Sequence, residues 1–347
     1  MELDLSKLGG KTLLITGGTG MIGKWMIDLL LQQVDCKVIL LGRSEKKAKS
    51  RFAAEHWDSG RLQFVQWDPS HPTSFGDMVH GVDSNSEAER IPLPRSIDYI
   101  IHLASNTHPV AYATDPVSTI VMNVNATKEL LDLAVEKKSR FVYASSVEIY
   151  GQNRGDCEKF REDYCGYIDC NTLRAGYPES KRCGEALCQA YIKQYGVDVV
   201  IPRIARVYGP TLLKDDTKAL SQFLHNALAG QDIVLKSEGK QYFSYLHVAD
   251  AVTGILTVML KGERGMAYNI ADEASDIRLC DLAALIAKQC GRKVVFDIPA
   301  AAESAGFSPA MVARLDNAAL MALGWKAEYD IVSGVSETID KLKKNED

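Results

Sequence analysis

The eight residues TGGTGMIG (16–23) constrain this chain more than any other stretch in it. They follow an apolar run, KTLLIT (11–16), and lead into MIGKWMIDLLLQQ (21–33), whose apolar residues recur at helical spacing. A strand that feeds a helix through a glycine cluster is the entry to a dinucleotide-binding βαβ unit. Gly17, Gly20 and Gly23 let the backbone turn tightly, let a pyrophosphate approach, and let helix pack on strand. The amides at the start of the helix, on Met21, Ile22 and Gly23, offer free N–H groups and a partial positive charge to phosphate. Gly18, Gly20 and Gly23 also spell GxGxxG, so spacing leaves both versions of the fingerprint open.

The rest of the first half repeats the theme. KVILLGR (37–43), LQFVQWD (62–68), IDYIIHLA (97–104), RFVYASS (140–146) and VDVVIPRIA (197–205) read as buried strands, with room for helical crossovers between them. Nearly all-apolar strands alternating with helices imply a parallel sheet covered on both faces, a doubly wound α/β fold of Rossmann type. The polar, proline-containing segment 80–96 reads as a surface loop. After residue 206 the texture changes. TKALSQFLHNALAG (217–230) and LCDLAALIAKQCG (279–291) alternate with short extended pieces. The expected organisation is a Rossmann domain over 1–205, with a return excursion near 240–270, and a smaller α/β substrate domain over 206–347.

Composition narrows the function. A net charge of −5 with no block of like charge gives no footing for nucleic acid. No apolar run is long enough for a bilayer, and MELDLSKLGG lacks the features of a signal peptide. The eight cysteines show neither CxxC nor metal spacing, as free thiols in a reducing cytoplasm would. At the cofactor's adenosine end, the second strand finishes LLGR (40–43). Gly42 stands where an NAD site carries its ribose-binding acid, and Arg43 suits a 2′-phosphate. NADP is therefore favoured over NAD, and Asp68, closing the third strand, is the candidate for the adenine end. In GYPESKRCGEALCQAY (176–191), Tyr177 and Lys181 lie four apart and share a helix face. A neighbouring ammonium favours the phenolate, so Tyr177 is expected to have a lowered pKa and to serve as general acid/base. Lys181 is also placed to bond the nicotinamide ribose.

With these pieces in view, the chain resembles the extended short-chain dehydrogenase/reductase family of nucleotide-sugar epimerases, dehydratases and decarboxylases. The likeness rests on TGGTGMIG, HLAS (102–105), NVNAT (123–127), SSVEIYG (145–151), YPESK (177–181), RVYGP (206–210), YLHVAD (245–250) and LGW (323–325). REDYCGYIDCNTLRAGYPESKR (161–182) looks most like the UDP-glucuronate decarboxylase (UDP-xylose synthase) branch. The resemblance implies cofactor contacts at Leu103, Ala104, Ser105 and Asn125. It makes Ser146 the hydroxyl that bonds the substrate oxygen being oxidised, Tyr177 its proton acceptor, and Lys181 the support of both. Glu148 falls on the family's catalytic glutamate, a base for the C5 proton that a 4-keto group acidifies. Val147 replaces the aspartate that protonates the leaving group in 4,6-dehydratases.

Other anchors depart from the family. Phe243 stands where an arginine usually meets substrate phosphate or carboxylate. Arg206 stands where an asparagine is usual, and is read as restoring part of the lost positive charge. The arginine clamp expected within 302–317 is absent. The reading is an NAD(P)-dependent enzyme for a nucleotide-linked sugar, working through a 4-keto intermediate by epimerisation or decarboxylation. The rival is a net NADPH-dependent reductase of a keto-sugar or another carbonyl compound. By resemblance the protein pairs as a homodimer through helices near 114–136 and 177–195.

Overall fold

The computed structural model describes residues 3–70, 93–105, 114–213, 216–298 and 311–344. Most of the segment read as a surface loop (80–92), and most of the stretch searched for the clamp (302–310), lie outside them. The main sheet contains β1 (Thr12–Thr16), β2 (Lys37–Gly42), β3 (Leu62–Gln66), β4 (Tyr99–His102), β5 (Arg140–Tyr143), β6 (Ser145–Ser146) and β7 (Asp198–Ile204). β8 (Arg206–Tyr208), β9 (Ile233–Leu235) and β10 (Tyr242–His247) follow before β11 (Ala267–Ile270) rejoins that sheet. Its order is β11-β7-β5-β4-β1-β2-β3, parallel throughout, with β6 also on β7. The chain runs outward from β1 to β3, then returns to place β4 on β1's other side. That reversal opens a crevice at the carboxyl ends of β1 and β4, where ligands bind in sheets of this kind.

Why these segments are strands is visible in their burial. Leu13 and Ile15 face one core and Leu14 the other, following the two-residue period of a pleated strand. Helix α1 (Met21–Gln33) packs its Met26, Ile27 and Leu30 into the first core. Helix α2 (Glu45–Arg51) follows β2, capped by the Ser44 hydroxyl. On the opposite face lie α3 (Pro116–Lys137) and α4 (Gly176–Tyr195), packed against each other, with Leu130, Leu131 and Cys188 in the second core. The helical stretches at 217–230 and 279–291 form α5 (Ala219–Leu228) and α7 (Leu279–Gln289), separated by α6 (Val248–Lys261). α6 packs against α1 and β7, so with β11 it returns the chain to the main sheet. Beside it, β8, β10, β12 (Asp276–Arg278) and β14 (Val312–Ala313) make a four-stranded sheet, and β9 pairs with β13 (Val294–Phe296). No helix among the described residues is long and apolar enough to cross a membrane.

Candidate active site

The glycine cradle is held by backbone-to-backbone contact. Gly17 has φ +72°, and a Cβ there would lie 2.7 Å from the Ala104 nitrogen. A Cβ on Gly23 would lie 2.4 Å from both the Gly17 carbonyl oxygen and the Gly18 Cα. Those distances leave no room for a side chain, so the first turn of α1 sits directly on the end of β1. Gly20 caps that helix without any side-chain hydrogen bond. The amides of Met21, Ile22 and Gly23 therefore open a helix whose N-terminal donors are uncommitted to a cap, as a phosphate site requires. The donor set and the close-packed turn fit a dinucleotide pyrophosphate.

Strand ends lock the floor of the crevice. Thr16 Oγ1 meets His102 Nδ1 at 2.8 Å and accepts the Ala104 N–H at 3.1 Å, while the Leu103 N–H donates to the Thr16 carbonyl. Burial, then the nearby Lys181 charge, push the His102 imidazole down to about 3, so it is neutral and structural at physiological pH. Ser105 donates to Asn123 Oδ1, and Asn123 Nδ2 donates to Ser180, whose hydroxyl donates to the Tyr177 carbonyl. Asn123, buried on α3, thus ties the β4 loop to α4. Asn125, expected as a cofactor contact, is half-buried two positions on along the same helix.

Tyr177 and Lys181 lie buried one turn apart on α4. The Tyr177 hydroxyl is in hydrogen-bond contact with Ser146 and Ser105. The expected lowering toward neutrality is not met by the protein alone. Full burial dominates and pushes the phenol up to about 12, against the pull of the Ser146 hydrogen bond. Lys181 donates to the Ala144 carbonyl at 2.9 Å and lies 5.0 Å from the centre of the Tyr143 ring. Burial pushes its ammonium down to about 8, opposed by Glu185, which Arg203 holds by two hydrogen bonds at 3.0 and 2.7 Å. Lys181 is therefore harder to protonate folded (about 8) than at its ordinary value of 10.5. Between these pH values the unfolded chain binds more protons, so stability rises with pH across that window. In denaturant titrations, wild type is expected to gain up to roughly 3 kcal/mol relative to Lys181→Met from pH 8 to 10.5. Parallel curves for the two proteins would contradict this environment for Lys181.

Glu148 sits on a single 3-10 turn, Val147–Tyr150, begun by Ser146, whose hydroxyl accepts the Glu148 N–H. Its carboxylate is not a solvated loop charge. Arg174 Nη2 donates to Oε2 at 3.0 Å and Arg206 Nη2 to Oε1 at 3.4 Å. Arg174 escaped the sequence reading, although it stands three residues before Tyr177, a spacing that brings both to one side of a helical turn. Arg206 stacks on Phe243, its guanidinium carbon 3.6 Å from the ring centre. Val147 is buried in the core and presents no proton donor. At the adenosine end, Arg43 is exposed beyond β2, and a Cβ on Gly42 would meet the Phe64 ring at 3.3 Å. Asp68, half-buried, accepts the Ser70 amide and hydroxyl.

Comparison with known proteins agrees with this geometry. The model of the NAD dependent epimerase/dehydratase family matches residues 13–271, three-quarters of the sequence. The chain belongs to that family. UDP-glucuronic acid decarboxylase 1 of Xenopus tropicalis is 30% identical over 255 residues, 74% of this chain and 55% of the relative. UDP-glucuronic acid decarboxylase 6 of Arabidopsis thaliana is 31% identical over 260 residues, 75% of this chain and 69% of the relative. The chain thus spans little more than half of the frog relative's length. Among solved folds in the family, UDP-glucose 4-epimerase of Thermotoga maritima superposes with a TM-score of 0.80 at 19% identity, covering 97% of this chain and 100% of that one. UDP-glucuronic acid 4-epimerase of Bacillus cereus gives 0.78 at 19% identity, covering 96% and 99%. These share the doubly wound fold, and none of these relatives is named as a net reductase.

Proposed function

We propose that this protein is an NAD(P)-dependent enzyme that acts on a nucleotide-activated sugar through a 4-keto intermediate, by decarboxylation or epimerisation rather than 4,6-dehydration. The observation that carries the reading is the Tyr177 hydroxyl in contact with Ser146, one helical turn before Lys181 and beside the glycine cradle. Relatives named as UDP-glucuronic acid decarboxylases support the substrate class. Gly17, Gly20, Met21, Ile22 and Gly23 would hold the pyrophosphate, with Leu103, Ala104 and Ser105 along the crevice. Arg43 favours NADP, and Asp68 serves the adenine end. When bound, the nicotinamide accepts a hydride and gives it back.

Within the chain, Ser146 orients the C4 hydroxyl and Tyr177 takes its proton as C4 becomes a ketone. A phenol at about 12 is a weak base for that step. The Lys181 ammonium, one helical turn away, would favour the phenolate and ease that proton transfer. The ketone makes the C5 substituent labile, as a proton that Glu148 can accept or as a carboxylate lost as carbon dioxide. Val147 leaves no acid to expel a 6-hydroxyl, which disfavours dehydration.

The test is incubation with a panel of nucleotide sugars in deuterated water, followed by mass spectrometry. Deuterium at C5 is expected for decarboxylation or C5 chemistry; conversion without label would mean simple C4 inversion, and no conversion of any sugar would defeat the reading. We further propose that residues 206–347, outside the excursion near 240–270, form the substrate-side domain. Two subunits would pair through α3 and α4 in a reducing cytoplasm, where the eight free thiols remain reduced. A single-chain mass in light scattering would refute the dimer.

A further inference from the structure

Glu148 is the residue whose surroundings say most about what the site is built to hold. Two guanidiniums from separate parts of the chain converge on one carboxylate: Arg174, from the 3-10 turn Leu173–Ala175 before α4, and Arg206 from β8. All three side chains are about one-fifth exposed, between 19% and 23%, so they are partly shielded yet still reach solvent. Arg206 has capacity to spare. Its Nη1 is buried and meets no hydrogen-bond partner among the described residues. Its flat face is spent on Phe243, which leaves the in-plane N–H groups to bind an oxyanion.

Strand pairing explains how the cation arrives there. β8 and β10 run parallel with Arg206 opposite Tyr245, so Phe243 lies two residues along the neighbouring strand. The phenyl ring forms the platform and the adjacent strand supplies the charge. The positive charge missing from position 243 is thus carried to the same surface from β8. A place that already accommodates a carboxylate between two guanidiniums has the shape and charge for a second carboxylate.

Building on the nucleotide-sugar reading, we propose that Arg206 and Arg174 form a seat for the carboxylate of a uronic acid sugar, and that Glu148 fills this seat until substrate displaces it. Binding then has two effects. The seat selects a sugar with a carboxylate on C5 over one with a neutral hydroxymethyl group. Transfer of the guanidiniums to the substrate also releases Glu148, so the base becomes available only when the proper sugar is bound.

The test measures equilibrium binding of UDP-glucuronate, UDP-glucose and UDP to the cofactor-loaded full chain and its variants. Arg206→Gln is expected to weaken UDP-glucuronate about 10–100-fold, and to change UDP-glucose and UDP by less than about twofold. Glu148→Gln is expected to tighten UDP-glucuronate about fivefold, by removing the resident competitor, while leaving UDP-glucose unchanged. Equal weakening of all three ligands by Arg206→Gln would assign the guanidinium to the diphosphate and overturn the carboxylate seat. Unchanged UDP-glucuronate affinity in that variant, or unchanged or weaker affinity in Glu148→Gln, would overturn it as well. If Arg206→Gln does not fold, the Glu148→Gln arm decides alone, because it removes no cation. Wild-type protein that binds none of the three would instead overturn the nucleotide-sugar reading, and the seat with it.

Discussion

Tyr177→Phe is expected to lower kcat by about 10²–10⁴-fold, the usual contribution of one positioned acid/base group. The phenyl ring keeps the buried shape but removes the hydroxyl that touches Ser146 and Ser105. Substrate and cofactor affinity should change little, so the loss should fall on kcat rather than KM. Because Tyr177 must give up its own proton before it can act as the base, the wild-type rate should climb with pH, and the variant should lose that dependence. Near-normal turnover in Tyr177→Phe would mean that another group moves the proton.

Gly23→Ala is expected to be nearly as damaging by a different route. Gly23 has ordinary helical geometry, so the substitution adds no backbone strain of its own. The whole effect comes from one methyl group placed 2.4 Å from the backbone of Gly17 and Gly18. Neither contact is a flexible side-chain end, so α1 must shift away from β1. That movement should cost about 1–3 kcal/mol and displace the amides that face the pyrophosphate. Gly20→Ala offers a graded comparison, since its Cβ would lie 3.2 Å from the Gly17 carbonyl oxygen. Thermal unfolding and the dinucleotide retained on purification should rank wild type above Gly20→Ala, and Gly20→Ala above Gly23→Ala. Equal melting temperatures and equal cofactor content would contradict the cradle.

The same steric logic explains why the cradle is legible in the sequence. A glycine that can be nothing else leaves a fixed spacing in the sequence. The apolar strands around it follow their pleat, so KTLLIT and MIGKWMIDLLLQQ emerge as β1 and α1 almost residue for residue. Tyr177 and Lys181 were legible because one helical turn sets their relation. What the sequence concealed depends on contact between distant segments. Asn123 turns toward Ser180 because α3 packs on α4, a contact between segments far apart in the chain. The Arg174–Glu148–Arg206 grouping joins two short turns and a strand, and no local period connects them. The lowering expected for Tyr177 failed because proximity to an ammonium was weighed without the desolvation of a fully buried phenol.

Transient oxidation of the substrate at C4, with Tyr177 taking the proton and a dinucleotide in the glycine cradle taking the hydride, is the claim on which the functional account rests. Its most direct test is stopped-flow absorbance in the nicotinamide band, with cofactor-loaded enzyme and UDP-glucuronate in a single turnover. The account predicts a rise as C4 is oxidised and a return to the starting value as product forms, with both phases lost in Tyr177→Phe. A flat trace during product formation, or a steady change that tracks product one for one and never returns, would contradict it.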